Sequence, residues 1–326
     1  MWWRSRNLRL AIVGVLGVHL AGVSGCTEEI SSPSLVERFR VLAVRAEPPE
    51  VAPGEEAHLD LLAFDPLATE GERPRSFLWL ACATVPGTSA AACADFATQP
   101  DVALPSASGS WNMAPCSEPA GSLSGGGLCF LGEDATATYA VPTDFLDAGD
   151  ASRQITFFVA AAAGERSVAE CVVEMAEHGA MPTDCQVSYK RLTVSQRADR
   201  NTNPSLAGLL LDGQEIPEGT RVEVSPGEHA LKAVAAEGAA EAYSKDDGTS
   251  AQEVLVLSWY LFVPAGPTEG GLPGTFKWYR TELPGEDQIY TAPDEEGDVT
   301  VVVVVRDDRG GVGWLTRHAH IAGQAP

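Results

Sequence analysis

The chain repeats itself, and that constrains its fold more than any other feature. Pro53-Gly54-Glu55 opens an apolar run in the first half, and Pro226-Gly227-Glu228 opens one in the second. A tryptophan within an apolar segment follows in each: Phe77-Leu78-Trp79-Leu80 and Leu257-Ser258-Trp259-Tyr260. Next come Thr138-Tyr139-Ala140-Val141-Pro142 against Ile289-Tyr290-Thr291-Ala292-Pro293, then the apolar runs from Ile155 and from Val299, each with a last segment behind it. Landmarks in one order at two places mean two units of one design. The length of 326 residues suits about two domains.

Within each unit, apolar residues cluster in short runs punctuated by Pro, Gly, Asp and Glu, the pattern of strands and turns. Strands are expected at 39–46, 57–64, 77–83, 136–141, 155–163, 168–175 and 186–195, then at 206–211, 221–224, 229–236, 254–263, 288–291, 299–306 and 313–321. Residues 84–134, rich in Gly, Ala and Ser, are expected to be an irregular insertion, and the polar residues 197–205 a linker. The fold class expected is therefore all-β: a module over 37–196 carrying the insertion, the linker, and a module over 206–326. About seven short strands with a tryptophan on the third resemble an immunoglobulin-like β-sandwich. The second half, through its tryptophan strand and the valine strand ending in Arg306-Asp307-Asp308-Arg309-Gly310-Gly311, resembles PKD and related bacterial Ig-like modules.

Ahead of the repeats, Arg4, Arg6 and Arg9 precede an apolar run over 10–23 and then Val23-Ser24-Gly25-Cys26. A charged start, an apolar middle and a small-residue exit form a secretory signal. Val23-Ser24-Gly25-Cys26 resembles the bacterial lipobox. That resemblance implies removal of residues 1–25, lipidation of Cys26, and a tether over 26–36. Thr27, where lipoproteins held on the inner membrane have aspartate, implies the outer membrane. The whole chain is similar to two-module lipoproteins of myxobacteria and their relatives. Its 45 acids against 22 bases, a formal charge of −23, argue against nucleic acid and against docking on anionic lipid heads. The bilayer is then a partner only through the acyl chains on Cys26, and two or more chains anchor stably where one does not.

Cys26 accounts for the odd member of seven cysteines. Cys82, Cys93, Cys116, Cys129, Cys171 and Cys185 remain, an even set that reads as a disulfide framework in an exported chain. Bridges between neighbours are expected: Cys82 with Cys93, Cys116 with Cys129, Cys171 with Cys185. Zinc is disfavoured, because there is no Cys-x-x-Cys pair.

Reactive motifs are missing: no Gly-x-Ser-x-Gly, no His-Glu-x-x-His, no phosphate-cradling loop and no dinucleotide fingerprint. Lysines, only Lys190, Lys232, Lys245 and Lys277, leave few candidates for a lysine-based mechanism. His318 and His320 stand two apart on an expected strand and share a face, as surface residues or as a two-imidazole metal seat. Asp307-Asp308-Arg309-Gly310-Gly311 reads as a tight hairpin turn, with a calcium loop as the alternative. No cofactor is expected beyond that calcium option, and no enzymatic activity.

One stretch points to an interaction. The runs 254–257 and 301–305 are apolar without alternation, whereas a sheet with one wet face alternates. With Leu255, Leu257 and Trp259 facing the core, Val254, Val256, Tyr260 and Phe262 face outward and form a candidate partner surface. The other occupant for that face is the first module itself. The expected role is a non-enzymatic interaction, adhesion or assembly protein with a protein partner in the envelope. The alternatives are a carbohydrate- or wall-binding module, with Trp278 and Tyr279 near the loop at 264–274 as a stacking platform, and a hydrolase with an unrecognised site.

Overall fold

A computed structural model describes residues 34–68, 73–83, 113–117, 123, 127–245, 247–262, 275–276 and 283–323. From residue 34 onward they belong to one compact unit. Within it are two β-sandwiches. Cys26, the signal sequence, Cys93, residues 264–274, Trp278 and Tyr279 lie outside the described residues.

The first strand, β1 (Leu35–Val36), belongs to the second sandwich. The first sandwich is built from β2 (Arg40–Glu47), β3 (Glu50–Val51), β4 (Glu56–Phe64), β5 (Arg75–Ala83), β6 (Gly127–Gly132), β7 (Ala137–Ala140), β8 (Ser152–Ala163) and β9 (Cys185–Ser195). One sheet has the order β2-β4-β7 and the other β3-β9-β8-β5-β6. The chain changes sheets between β2 and β3, at the cis Glu47–Pro48 bond, so that β3 runs parallel to the end of β9. Alternate residues of the strands meet between the sheets, where Trp79, Phe145 and Phe157 are fully buried and Tyr139 packs edge-on against Phe157.

Residues 168–175, expected as a strand, are instead helical: α1 spans Val168–His178. Local chemistry decides this. Ser167 and Glu170 form a reciprocal capping box, Ser167 N–H donating to Glu170 Oε2 at 2.7 Å. Gly179 closes the other end at φ 68°, its N–H donating to Met175. Val168, Cys171 and Val172 fall at helical spacing and pack on the outer face of β5 and β8, on Leu78, Phe158, Ala160 and Ala162. The bridge Cys171–Cys185 pins the helix to the start of β9. β8 is thus apolar on both faces because the core lies on one side and α1 on the other. The insertion also ends in order rather than irregularity, since β6 pairs with β5 and Cys129 on β6 is bonded to Cys116. Cys82 is disulfide-bonded as well.

The second sandwich holds β10 (Leu206–Leu211), β11 (Gln214–Glu215), β12 (Arg221–Val224), β13 (Gly227–Ala235), β14 (Ala242–Ser244), β15 (Ser250–Gln252), β16 (Val256–Phe262), β17 (Thr275–Phe276), β18 (Asp287–Ala292), β19 (Gly297–Arg306) and β20 (Val312–Ile321). Its sheets have the orders β11-β10-β13-β18-β17 and β1-β16-β19-β20-β12, with β14-β15 a separate hairpin. The repeated landmarks fall on equivalent strands: Trp79 on β5 and Trp259 on β16, Tyr139 on β7 and Tyr290 on β18. A short strand runs parallel to the last strand in both, β3 on β9 and β12 on β20. Two Ig-like β-sandwiches in tandem are the fold.

Continuous burial of β19 has a different cause from that of β8. Val301, Val303 and Val305 face their own core, while Val302 and Val304 meet the first sandwich. Leu42 and Ala43 of β2 and Leu62 and Phe64 of β4 cover them, together with Tyr260, Phe262 and Trp314. A bulge between Val41 and Ala43 lets two consecutive residues of β2 face the same way. β1 completes the junction: its two residues pair parallel to β16, and Leu261 N–H donates to the Ser34 carbonyl at 2.8 Å. The segment expected as the end of a free tether is therefore a strand of the second module, and the chain crosses back to build the first.

Candidate functional site

The polar centre of the molecule lies where the sandwiches meet. Asp307 begins the β19–β20 turn, and its Oδ1 accepts from the N–H groups of Arg309 (2.9 Å) and Gly311 (2.7 Å), with Gly310 at φ 102°. That closes a tight hairpin and aims Arg309 out of it. Arg309 donates to Glu50 of the first sandwich at 2.7 Å, to Glu253 at 3.3 Å and to the Asp199 carbonyl at 2.8 Å, and lies over the Tyr243 ring. The expected linker is part of this lock. Asn201 is buried, its N–H on Glu50 and its Nδ2 on Asp307, and Asn203 bridges Ala46 and Val312. Gly313 permits the crossing, because a Cβ there would lie 2.0 Å from the Pro204 carbonyl oxygen. Burial holds the Glu253 carboxyl above its ordinary value, aided by the negative Asp307 and Glu241 and opposed by the Glu241 amide and Arg309.

Beside the lock is a cavity of about 380 Å³. It opens between β2 and β9, on the side of the first sandwich where the two sheets part. Among the described residues β9 is paired on this edge only at Thr193 and Val194, leaving the backbone edge before them without a strand. Gln186 bridges the seam at one end, its Oε1 accepting from Val41 N–H at 2.6 Å. Arg306 donates to the Leu42 carbonyl at 3.0 Å and to Ser258. Lys190, on the inward face of β9 with Leu192 and Val194, is 5% exposed and donates to the Gly310 carbonyl. Burial pushes its ammonium down to about 8; Asp307 opposes that, Arg306 adds to it, and Asp60 opposes it. On the outward face, Tyr189 is 63% and Val187 36% exposed, with Arg191 near the Tyr189 ring.

The candidate residues of the sequence fare unequally. Leu257 and Trp259 face the core and Val256, Tyr260 and Phe262 the opposite side, as alternation requires. That side is not a free partner surface. Phe64 meets Phe262 at 5.0 Å between ring centroids, and Arg40 lies over Tyr260. The physical reason is that two adjacent modules of one chain meet as an intramolecular event, at a lower entropic cost than the association of a separate partner. Val254 is exposed at the rim, its N–H on Asp308. His318 and His320 are engaged across the ladder with Thr300 and Asp298, at 3.0 and 2.8 Å. Among the described residues no group of three or more His, Cys, Asp or Glu is arranged to hold a metal ion. Nor is any helix among them long and apolar enough to cross a membrane.

Lys190 and Arg306 were not singled out from sequence as a site. The one trace was a lysine at an inward position of an alternating strand; what it reaches depends on the second module.

No family model matches the chain, and neither does any curated protein. Among the solved structures that the chain resembles are remote likenesses. The fibronectin(III)-like modules of Clostridium thermocellum CbhA are 8% identical over 86% of this chain and 94% of that one, with TM-score 0.22. The N-terminal Ig1-2 module of a Drosophila receptor protein tyrosine phosphatase is 10% identical over 88% and 100%, with TM-score 0.21. A nucleoside hydrolase-related protein of Saccharophagus degradans is 17% identical over 38% of this chain, which spans 26% of that one, with TM-score 0.25.

Proposed function

We propose that this is a lipid-anchored protein of the outer membrane, held through acylated Cys26, whose two sandwiches form one stiff body that presents a binding surface to a protein partner without turning over a substrate. Sandwiches of this kind recur in cell-surface recognition, but the site, not the fold, must carry the assignment. The observation that supports it is the seam beside the lock. The apolar faces of β8 and β19 are covered internally by α1 and by the first module, whereas the edge of β9 keeps exposed Val187 and Tyr189 beside a charged cavity. An unpaired edge with an aromatic and a pocket next to it is what protein recognition uses.

The test is crosslinking in the native envelope, with a photoreactive residue in place of Tyr189 and Cys26→Ala as the anchoring control. One dominant protein adduct, dependent on Cys26, is the expected result. Recovery of glycan alone would favour the wall-binding reading, and turnover of a substrate by the purified chain would refute the non-enzymatic one.

A further inference from the structure

The cavity between β2 and β9 has a charge pattern opposed to that of the whole molecule. Lys190, Arg191 and Arg306 line it and no carboxylate does, in a chain of formal charge −23. Buried charges are normally paired. Lys190 is buried, and among the described residues no carboxylate forms an ion pair with it; its described partner is the neutral Gly310 carbonyl. The nearby acids are committed elsewhere: Asp60 holds Arg45 at 2.6 Å, and Asp307 holds its own turn and Asn201. An ammonium carries three donors, so donors remain for a ligand. The cavity also fits a ligand in size, at the small end of the range of about 300–1,000 Å³ for binding pockets.

Its walls say what kind of ligand. One wall is the strandless edge of β9, whose backbone groups suit an added extended segment. Another is apolar, from Val41, Val44 and Val312. Resting on the interaction reading above, we infer that the seam takes a short extended peptide segment of an acidic protein partner, its backbone laid along β9 at residues 187–191 and a side-chain carboxylate received by Lys190 and Arg306. A buried lysine that costs stability yet stands at a cavity is what a binding role accounts for.

The experiment uses the full chain in detergent and, as probe, a capped hexapeptide of alternating valine and glutamate, titrated by calorimetry and followed by amide hydrogen exchange. Expected is saturable binding at about millimolar Kd or tighter, slowed exchange confined to amides within 186–192, and at least about tenfold weaker binding to Lys190→Met or by the glutamine counterpart. Equal binding of the glutamate and glutamine peptides would overturn the inference. So would protection elsewhere, absence of binding, or equal competition by free acetate, which would leave a carboxylate pocket without strand pairing. Failure here with a Tyr189 adduct still formed in the envelope would sink this recognition mode and leave the interaction reading standing. Loss of the adduct itself would sink that reading.

Discussion

Arg309 and Glu50 face each other at 2.7 Å across the two sandwiches, with side chains only 10% and 5% exposed. Neither charge has water to fall back on. Arg309→Met leaves the Glu50 carboxylate buried with Ser195 and Asn201 but without its cation. Loss of one partner of such a pair costs about 3–5 kcal/mol. Denaturant unfolding should show this loss for Arg309→Met and recover much of it in the double variant with Glu50→Gln. Additive losses would mean the two groups do not interact.

Phe64 and Phe262 couple the modules through rings 5.0 Å apart. A double-mutant cycle to alanine should give a coupling of about 0.5–1.5 kcal/mol. Phe262→Glu should separate the sandwiches, read as a larger radius of gyration in solution scattering with β-sheet circular dichroism retained. An unchanged radius would show that the lock alone sets the arrangement.

Helix α1 depends on its cap and its bridge. Ser167→Ala removes a capping box and should cost about 1 kcal/mol. Reduction of Cys171–Cys185, which closes a separation of 14 residues, should cost about 3 kcal/mol. Both should bare Phe158, Ala160 and Ala162 and raise binding of a hydrophobic dye. Dye binding unaltered after reduction would mean that packing alone holds α1.

Lys190 gives the stability a pH dependence of definite sign. Burial first of all lowers its value from 10.5 to about 8 in the folded chain. Between those limits the unfolded chain binds more protons, so stability rises with pH across that window, and the penalty is fully present below it. Lys190→Met should therefore be more stable at neutral pH, by up to about 3 kcal/mol at ~1.4 kcal/mol per tenfold in proton affinity. The variant should also lose the rise between pH 8 and 10.5. Parallel stability–pH curves for the two proteins would refute the assignment.

Much of the fold was legible because its determinants are local. Alternation around Trp79 and Trp259 sets which residues face each core, and the repeated Pro-Gly-Glu and tyrosine landmarks set equivalent strands in order. Even the misread helix carried its sign: Ser167 and Glu170 three apart, then Gly179 after His178, outweigh the β-branched valines between them. Tertiary structure decided what covers each two-sided strand. The runs of β8 and β19 look alike in sequence, yet a helix covers one and a neighbouring module the other. A side chain's face follows from a period of two, but the partner on that face comes from chain segments far away. Leu35–Val36 reaching β16, Arg309 reaching Glu50 and Lys190 reaching Gly310 are contacts of that kind. Local pattern sets orientation, while juxtaposition arises only when distant apolar faces exclude water together, and the site lies at such a juxtaposition.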